Sequence, residues 1–188
     1  MEFSGKKVTV VGTGISGIGA VGLLNAVGAE VVLYDGHEKL KIEDIEKKLG
    51  TYKAEIVLGE LTKELTDSSD LLVISPGVPI DSPVVKAFEA AGVPVWGEVE
   101  LAYAFDKGKV LAITGTNGKT TTTALVGQIV GAYHKDTFVV GNIGNPYTTE
   151  VLKSNKDSYT VAEISSFQLE TVHEFHPLVS AILNITPD

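Results

Sequence analysis

Two glycine turns hold the residues with the most chemistry in this sequence. The first, Gly12-Thr13-Gly14-Ile15-Ser16-Gly17, fits G-x-G-x-x-G directly after the apolar, β-branched run Val8–Val11 and just ahead of a helical pattern over Ile18–Val27. In that setting Gly12 permits a tight turn, Gly14 lets the backbone approach a phosphate, and Gly17 lets the helix pack against the strand. The helix N-terminus then offers free N–H groups and partial positive charge to an anion. Asp35 follows the next apolar run, Val31–Leu33, where nucleotide-binding folds place an acid on a ribose hydroxyl. The turn alone leaves open a dinucleotide, a mononucleotide or simple tight packing. Ser75-Pro76-Gly77-Val78-Pro79 follows Leu71–Ile74 and reads either as part of the same rim or as an ordinary proline–glycine turn.

The second turn is Thr114-Gly115-Thr116-Asn117-Gly118-Lys119-Thr120-Thr121, between the strand-like Val110–Ile113 and a helical pattern over Thr121–Val130. Backbone N–H groups of such a loop wrap phosphates, the lysine reaches the β and γ oxygens, and the following hydroxyl holds Mg²⁺. The general pattern would put its first glycine at position 113. That residue is Ile113 and the first glycine is Gly115, so this loop is shorter. A Mg²⁺-bound triphosphate also needs a carboxylate nearby. Glu163, at the end of the strand-like Tyr159–Ala162, is the candidate, against the plainer reading of a surface acid.

Positioning these residues takes strands that alternate with helices. Besides the runs already named, Phe138–Val140 and Val179–Leu183 read as strands, and Ile42–Leu49, Pro83–Ala91 and Glu98–Phe105 as helices. That alternation implies right-handed βαβ units and parallel sheets, an α/β fold. Two phosphate-loop signals favour two small sheets over one large one. The boundary is expected within 93–108, where the polar turn Asp106-Lys107-Gly108-Lys109 leads into a new strand.

Composition removes other classes. The chain has 188 residues, 44% hydrophobic and 21% charged, which is ordinary for a globular protein. Twenty-four acids against 15 bases give a net charge of −9 with no dense Lys/Arg cluster, which argues against nucleic-acid partners. The absence of cysteine removes disulfides, thiolate metal sites and a cysteine nucleophile. No apolar run approaches the roughly 20 residues that span a bilayer, and the N-terminus lacks the pattern of a signal peptide, so a cytoplasmic protein is expected. His173 and His176 stand at i, i+3 without a third ligand in view and read as surface or packed residues. The lysines at 39, 41, 47 and 48 interleave with acids, as on a solvated helix face. Trp96 reads as packing at the junction.

Gly115–Thr121, taken with Gly141-Asn142-Ile143-Gly144 and Glu163-Ile164-Ser165-Ser166-Phe167-Gln168-Leu169-Glu170, strongly resembles the Mur ligases of peptidoglycan synthesis. The short loop is shared with that superfamily, folylpolyglutamate synthases included. The E-x-S-S-F-Q-L block resembles the member that adds D-glutamate to UDP-N-acetylmuramoyl-L-alanine, as do the SPGVP turn and the WGEVELAY stretch. The resemblance covers essentially the whole chain.

It implies a Rossmann-like UDP-substrate domain over residues 1–97 and the first part of a P-loop ATP-binding domain over 98–188. The first domain would bind UDP and not NAD. Gly14, Ile15, Ser16 and Asp35 would serve the uridine end and Gly77 the diphosphate. Asn142 and Gln168 would hold the muramoyl-alanine portion. Gly115, Thr116, Asn117, Gly118, Lys119, Thr120 and Thr121 would bind ATP, with Lys119 at the γ-phosphate and Thr120 and Glu163 on Mg²⁺. The implied reaction is an ATP-dependent ligation through an acyl phosphate, by a monomer acting on small molecules.

Asn184-Ile185-Thr186-Pro187-Asp188 matches the start of a block that in the family runs on to a histidine, a carbamylated metal-binding lysine and a third domain. The expectation is therefore an N-terminal piece that does not complete the ligation. Two rivals come from the same residues. An NAD-dependent dehydrogenase accounts for the first turn but leaves the second and Glu163 unexplained, and a regulatory nucleotide-binding module is the other. Another amino-acid ligase of the family is a narrower alternative.

Overall fold

The computed structural model describes residues 2–186, so Pro187 and Asp188 of the Asn184 block lie outside the described residues. The first half runs β1 (Lys7–Val11), α1 (Ile15–Ala26), β2 (Glu30–Asp35), α2 (Ile42–Leu49), β3 (Glu55–Leu58), α3 (Lys63–Ser68), β4 (Leu71–Ile74), α4 (Pro83–Ala90) and β5 (Val95–Gly97). Its five strands are all parallel, in the order β3-β2-β1-β4-β5. The second half runs α5 (Glu98–Tyr103), β6 (Lys109–Thr114), α6 (Lys119–Tyr133), β7 (Thr137–Gly141), α7 (Tyr147–Glu150), a 3₁₀ turn (Val151–Lys153), β8 (Tyr159–Glu163), α8 (Ser166–Leu169) and β9 (Val179–Ile182). Its four strands are also parallel, in the order β7-β8-β6-β9.

The β-branched runs become central strands because both of their faces are covered. Val8 and Val10 enter a cluster that continues through Leu24 and Leu33 into Val110, Val140, Tyr147 and Ile164 of the second half. On the other face of the first sheet, Val11, Leu72 and Ile74 pack with Val85 and Phe88 of α4. Helix α2 buries only Ile45 and Leu49, one turn apart, and carries acids in its first turn and lysines in its last, as the helix dipole favours. In the first sheet, β1 lies between β2 and β4. The order thus reverses beside β1, and the crevice beyond its carboxyl end is where such sheets bind ligands.

Several boundaries differ from those expected. Helix α1 begins at Ile15, not Ile18, because Gly14 is already its N-cap, with the Ile18 N–H donating to the Gly14 carbonyl. Helix α6 spans Lys119–Tyr133, longer than Thr121–Val130, and β9 ends at Ile182, one residue short. Strand β3 and the short helices α3, α7 and α8 lack the periodicity that would announce them. Trp96 does pack at the junction, with its ring 6.1 Å from that of Phe3, which also meets Phe105 at 5.2 Å.

Two carboxylates, Asp106 half-buried and Glu98 buried, tie the sheets to the elements between them. Asp106 accepts from the Tyr147 hydroxyl at 2.6 Å, the Thr160 hydroxyl at 2.7 Å and the Gly108 N–H at 2.7 Å. Burial, followed by the Asp106 charge, pushes the Tyr147 phenol well above its usual range and keeps it a donor. Glu98, 3% exposed, opens α5 and accepts from the Thr148 N–H at 3.0 Å and the Thr148 hydroxyl at 3.2 Å. Its other oxygen faces the Gln168 amide at 3.5 Å. Thr148 in turn lies against α1, where a Cβ on Gly19 would come within 2.7 Å of its hydroxyl. Only glycine permits that approach.

Tyr147→Phe removes one neutral-to-charged bond and leaves Asp106 two donors. We expect a loss of about 1–2 kcal/mol in urea unfolding, or about 2–4 °C in Tm for each kcal/mol. Burial raises the Glu98 pKa, only partly offset by the Thr148 hydrogen bonds. Between the usual glutamate range and that raised value the folded state binds more protons than the unfolded chain, so stability falls as pH rises. Glu98→Gln has no charge to bury and should flatten this fall in urea titrations from about pH 4 to pH 8. Identical slopes in the two proteins would contradict the assignment.

Candidate functional site

The first rim is built on the carboxyl ends of β1, β2 and β4. After Val11 the chain turns at Gly12, with φ +104°, and enters α1 at Ile15. A Cβ on Gly17 would overlap the Gly12 carbonyl oxygen, so the helix can lie this close to the turn only with glycine there. Gly14 has open space around it and Ile15 is 75% exposed, so the first turn of α1 faces outward with its N–H groups unspent.

Asp35, at the end of β2, has its carboxylate occupied from within. Oδ2 accepts from the Thr13 N–H at 3.2 Å and the Thr13 hydroxyl at 3.0 Å, and Oδ1 lies 3.1 Å from the His37 N–H and 2.8 Å from His37 Nδ1. Burial alone would raise its pKa. The His37 bonds and then the Thr13 bonds outweigh it and hold the carboxyl below its usual range. Asp35 is therefore an ionised acceptor that also fixes the glycine turn to the end of β2. It shares a cavity of about 400 Å³ with Gly12, His37 and Gly77.

A larger cavity, about 610 Å³, lies where the two halves meet. Ser75 and Gly77 form one wall, and Glu98, Phe167, Gln168 and Thr171 the other. Gly77 borders both cavities. The SPGVP turn is thus a rim element and not only a bend. Gln168 reaches its place through a capping box: Ser165 Oγ accepts the Gln168 N–H, and the Gln168 side-chain oxygen accepts the Ser165 N–H at 2.9 Å. Its amide nitrogen is left for Glu98 and the cavity.

The second rim lies at the carboxyl ends of β6 and β8. Gly115 at φ +140° and Gly118 at φ +84° bend the loop from β6 into α6. The N–H groups of the first turn of α6, Lys119 to Thr121, have no carbonyl a turn before them and point out of the helix end, the arrangement that seats anions. Lys119 bends back over the loop, its ammonium 2.6 Å from the Gly115 carbonyl and 3.1 Å from that of Thr116. Thr116 is half-buried, and Asn117, Thr120 and Thr121 are exposed.

Glu163 is paired in register with Ile113, just before the loop. At 1% exposure it is no surface acid. Asn142 Nδ2 donates to one oxygen at 3.1 Å, while Oε2 is buried without a hydrogen-bond partner. No Lys, Arg or His pairs with Glu163 among the described residues. A buried carboxylate oxygen without a partner is costly unless a cation completes it. The donor chemistry fits Mg²⁺, a hard ion held by one or two carboxylates, hydroxyl or water, and phosphate oxygens. No group of three or more His, Cys, Asp or Glu suits a metal among the described residues, and Glu163 is the buried acid beside the loop that would hold one. His173 instead sets Nε2 3.0 Å from the Val95 carbonyl, and the His176 carbonyl accepts from Tyr103.

The site residues thus fall into two groups. Gly77 joins Asp35 in one cavity and Gln168 in the other, while Asn142 and Glu163 meet beside the phosphate loop. Gly14, Ile15 and Ser16 line neither cavity and stand at the outer edge of the first rim. Glu98 carries no expectation of a site role from the sequence, and the rim reading of the SPGVP turn does not single out Ser75. Glu98 looks like any acid opening a helix, and Ser75, whose hydroxyl is buried without a partner, looks like a turn residue.

Known proteins match along nearly the whole chain. The model of the Mur ligase MurD-like N-terminal domain matches residues 6–97, and that of the Mur ligase middle domain matches residues 113–188. The UDP-N-acetylmuramoylalanine–D-glutamate ligase of Lachnospira eligens is 71% identical over 188 residues, covering 100% of this chain and 42% of the relative. The enzyme of the same name from Lachnoclostridium phytofermentans is 59% identical over 189 residues, with the same coverage of 100% and 42%. This chain therefore spans about two fifths of the length of these relatives. Among solved structures, the UDP-N-acetylmuramate:L-alanyl-γ-D-glutamyl-meso-diaminopimelate ligase of Neisseria meningitides shares the fold, with a TM-score of 0.61 at 18% identity over 98% of this chain and 62% of that one. A parallel sheet opening on a glycine turn, a second opening on a short Gly-Lys-Thr loop beside a buried glutamate, and these matches agree: the chain belongs to the Mur ligase family.

Proposed function

We propose that this chain supplies the UDP-substrate and ATP sites of a ligase that joins D-glutamate to UDP-N-acetylmuramoyl-L-alanine. The observation that carries the reading is the pair of anion seats at the ends of two parallel sheets, with a large cavity between the halves and an unpartnered carboxylate beside the second seat. Residues 1–97 form the UDP-substrate domain and 98–188 the start of the ATP domain. Gly14, Ile15, Ser16 and Asp35 serve the uridine end, Gly77 the diphosphate, and Asn142 and Gln168 the muramoyl-alanine end. Residues 115–121 bind ATP, and Thr120 and Glu163 hold Mg²⁺, which when bound neutralises phosphate charge. On this reading the protein acts in the cytoplasm, as a monomer on small molecules and without a nucleic-acid or membrane partner.

In the proposed chemistry a substrate carboxylate oxygen bonds to the γ-phosphorus while the bond from that phosphorus to the β–γ bridging oxygen breaks, releasing ADP. The D-glutamate amine then bonds to the acyl carbon, loses a proton and expels phosphate. The first step brings two anions together. Lys119 lowers that cost by moving its ammonium from loop carbonyls to phosphate oxygens, so the protein contributes position and charge and no covalent bond. The relatives extend well beyond this chain, so the amine-binding half of the reaction is proposed for a longer protein.

A thermal-shift panel separates this reading from its rivals. UDP and Mg-ATP should each raise Tm and NADH should not, with saturation at a hundred times Kd worth about 2.7 kcal/mol. Lys119→Ala should abolish the Mg-ATP shift and keep the UDP shift, because the seats belong to different sheets. Stabilisation by NADH without UDP would replace the ligase with a dehydrogenase. Loss of both shifts in Lys119→Ala would mean one shared site.

A further inference from the structure

The phosphate loop has few bonds of its own. The Lys119 ammonium holds the carbonyls of Gly115 and Thr116, and the remaining contacts of Thr116 and Asn117 go to the segment after β9. Asn184 makes most of them. Its side-chain oxygen accepts the Asn117 N–H at 2.9 Å, and its side-chain nitrogen donates to the Asn117 carbonyl at 3.0 Å, so one amide holds both main-chain polar groups of one residue. Its main-chain carbonyl accepts the Thr116 N–H at 3.1 Å. Thr186 adds a contact, its N–H donating to the Thr116 hydroxyl at 3.1 Å. The fit is close: a Cβ on Gly115 would stand 3.1 Å from both the nitrogen and the oxygen of Asn184.

We infer that Asn184 is a positioning residue that braces the phosphate loop from outside. The inference rests on reading this loop as the ATP seat. A lysine called to a phosphate gives up the carbonyls it bridges, whereas the Asn184 contacts take the N–H groups of Thr116 and Asn117 and leave those of the helix first turn to an anion. A short loop that relinquishes its lysine keeps its shape through this residue. The side-chain pairing also fixes the direction of the Asn117 peptide, and with it the N–H of Gly118, the next donor along the loop. Asn184 touches neither substrate nor reacting atoms and acts through the loop.

The test uses Asn184→Ala and Asn184→Asp in the same chain, read by amide hydrogen exchange and by calorimetric titration with Mg-ATP. Asn184→Ala should speed exchange at Asn117 about tenfold or more, the factor one hydrogen bond carries, with β6 and β8 unchanged. Mg-ATP affinity should weaken about as much, while UDP affinity stays put. Asn184→Asp keeps an acceptor for the Asn117 N–H, so exchange there should stay slow. It loses the donor and adds a charge, so Mg-ATP should still weaken. Unchanged loop exchange in Asn184→Ala overturns the brace. Faster exchange with unchanged Mg-ATP affinity overturns its role in positioning. Mg-ATP binding that survives Lys119→Ala overturns instead the reading of the loop as an ATP seat.

Discussion

The relative placement of the two anion seats depends on a polar contact inside an apolar junction. Helix α1, whose first turn is the first seat, reaches the second half by packing on α7, and that approach is close enough to demand glycine at position 19. The residue it meets, Thr148, has both its N–H and its hydroxyl bound by Glu98, which opens the helix leaving the first sheet. Helix, threonine and glutamate form one chain of contacts from the first seat, through the junction, to the wall of the large cavity. Apolar packing alone would let the two sheets slide with little penalty. A buried carboxylate does not, because any shift that breaks its bonds leaves a desolvated acceptor unpaired. The cleft is held in register by the cost of breaking that contact more than by the gain of making it.

Much of this architecture was legible in the residues. Val8–Val11, Leu71–Ile74 and Val110–Ile113 had to be central strands because continuous β-branched apolar runs are soluble only when both faces are covered. The glycine turns could be assigned because each stood between such a run and a helical pattern. Strand β3 escaped because Glu55–Leu58 is short and only half-buried at a sheet edge, and α7 and α8 escaped because one helical turn has no periodicity to read. The roles of Glu98 and Asn184 were hidden for another reason. Both act through partners far away in the sequence, Thr148 and Asn117, and no local pattern distinguishes a glutamate or asparagine that has such a partner from one that faces water.

The same distinction separates Asp35 from Glu163. Both are acids at strand ends beside a glycine loop, read from the sequence as a ribose acceptor and a metal ligand. The structure makes them opposites. Every oxygen of Asp35 is provided with donors by its own chain, which lowers its pKa and makes it a fixed element of the first rim. Glu163 has one oxygen held by Asn142 and one left bare in a buried position. Asp35 meets any ligand with its oxygens already held in place, whereas Glu163 keeps one oxygen bare.

That contrast resolves the apparent conflict between a net charge of −9 and the binding of polyanions. A basic surface would attract phosphates without regard to shape, and the sequence has no dense Lys/Arg cluster to build one. Peptide N–H groups at two helix ends supply partial positive charge only to an anion that fits the turn, and the first seat requires nothing more. The second, as proposed, would accept a triphosphate next to a buried glutamate, with Lys119 as the charged side chain of the loop. One ammonium cannot balance both the phosphates and that carboxylate. On the proposed reading, a divalent cation between them would remove the repulsion and use the bare oxygen at the same time, and Glu163 would favour the metal-bound nucleotide over the free one. The acidic residue that looks most hostile to ATP would thus be the one that makes the proposed seat specific for its magnesium complex.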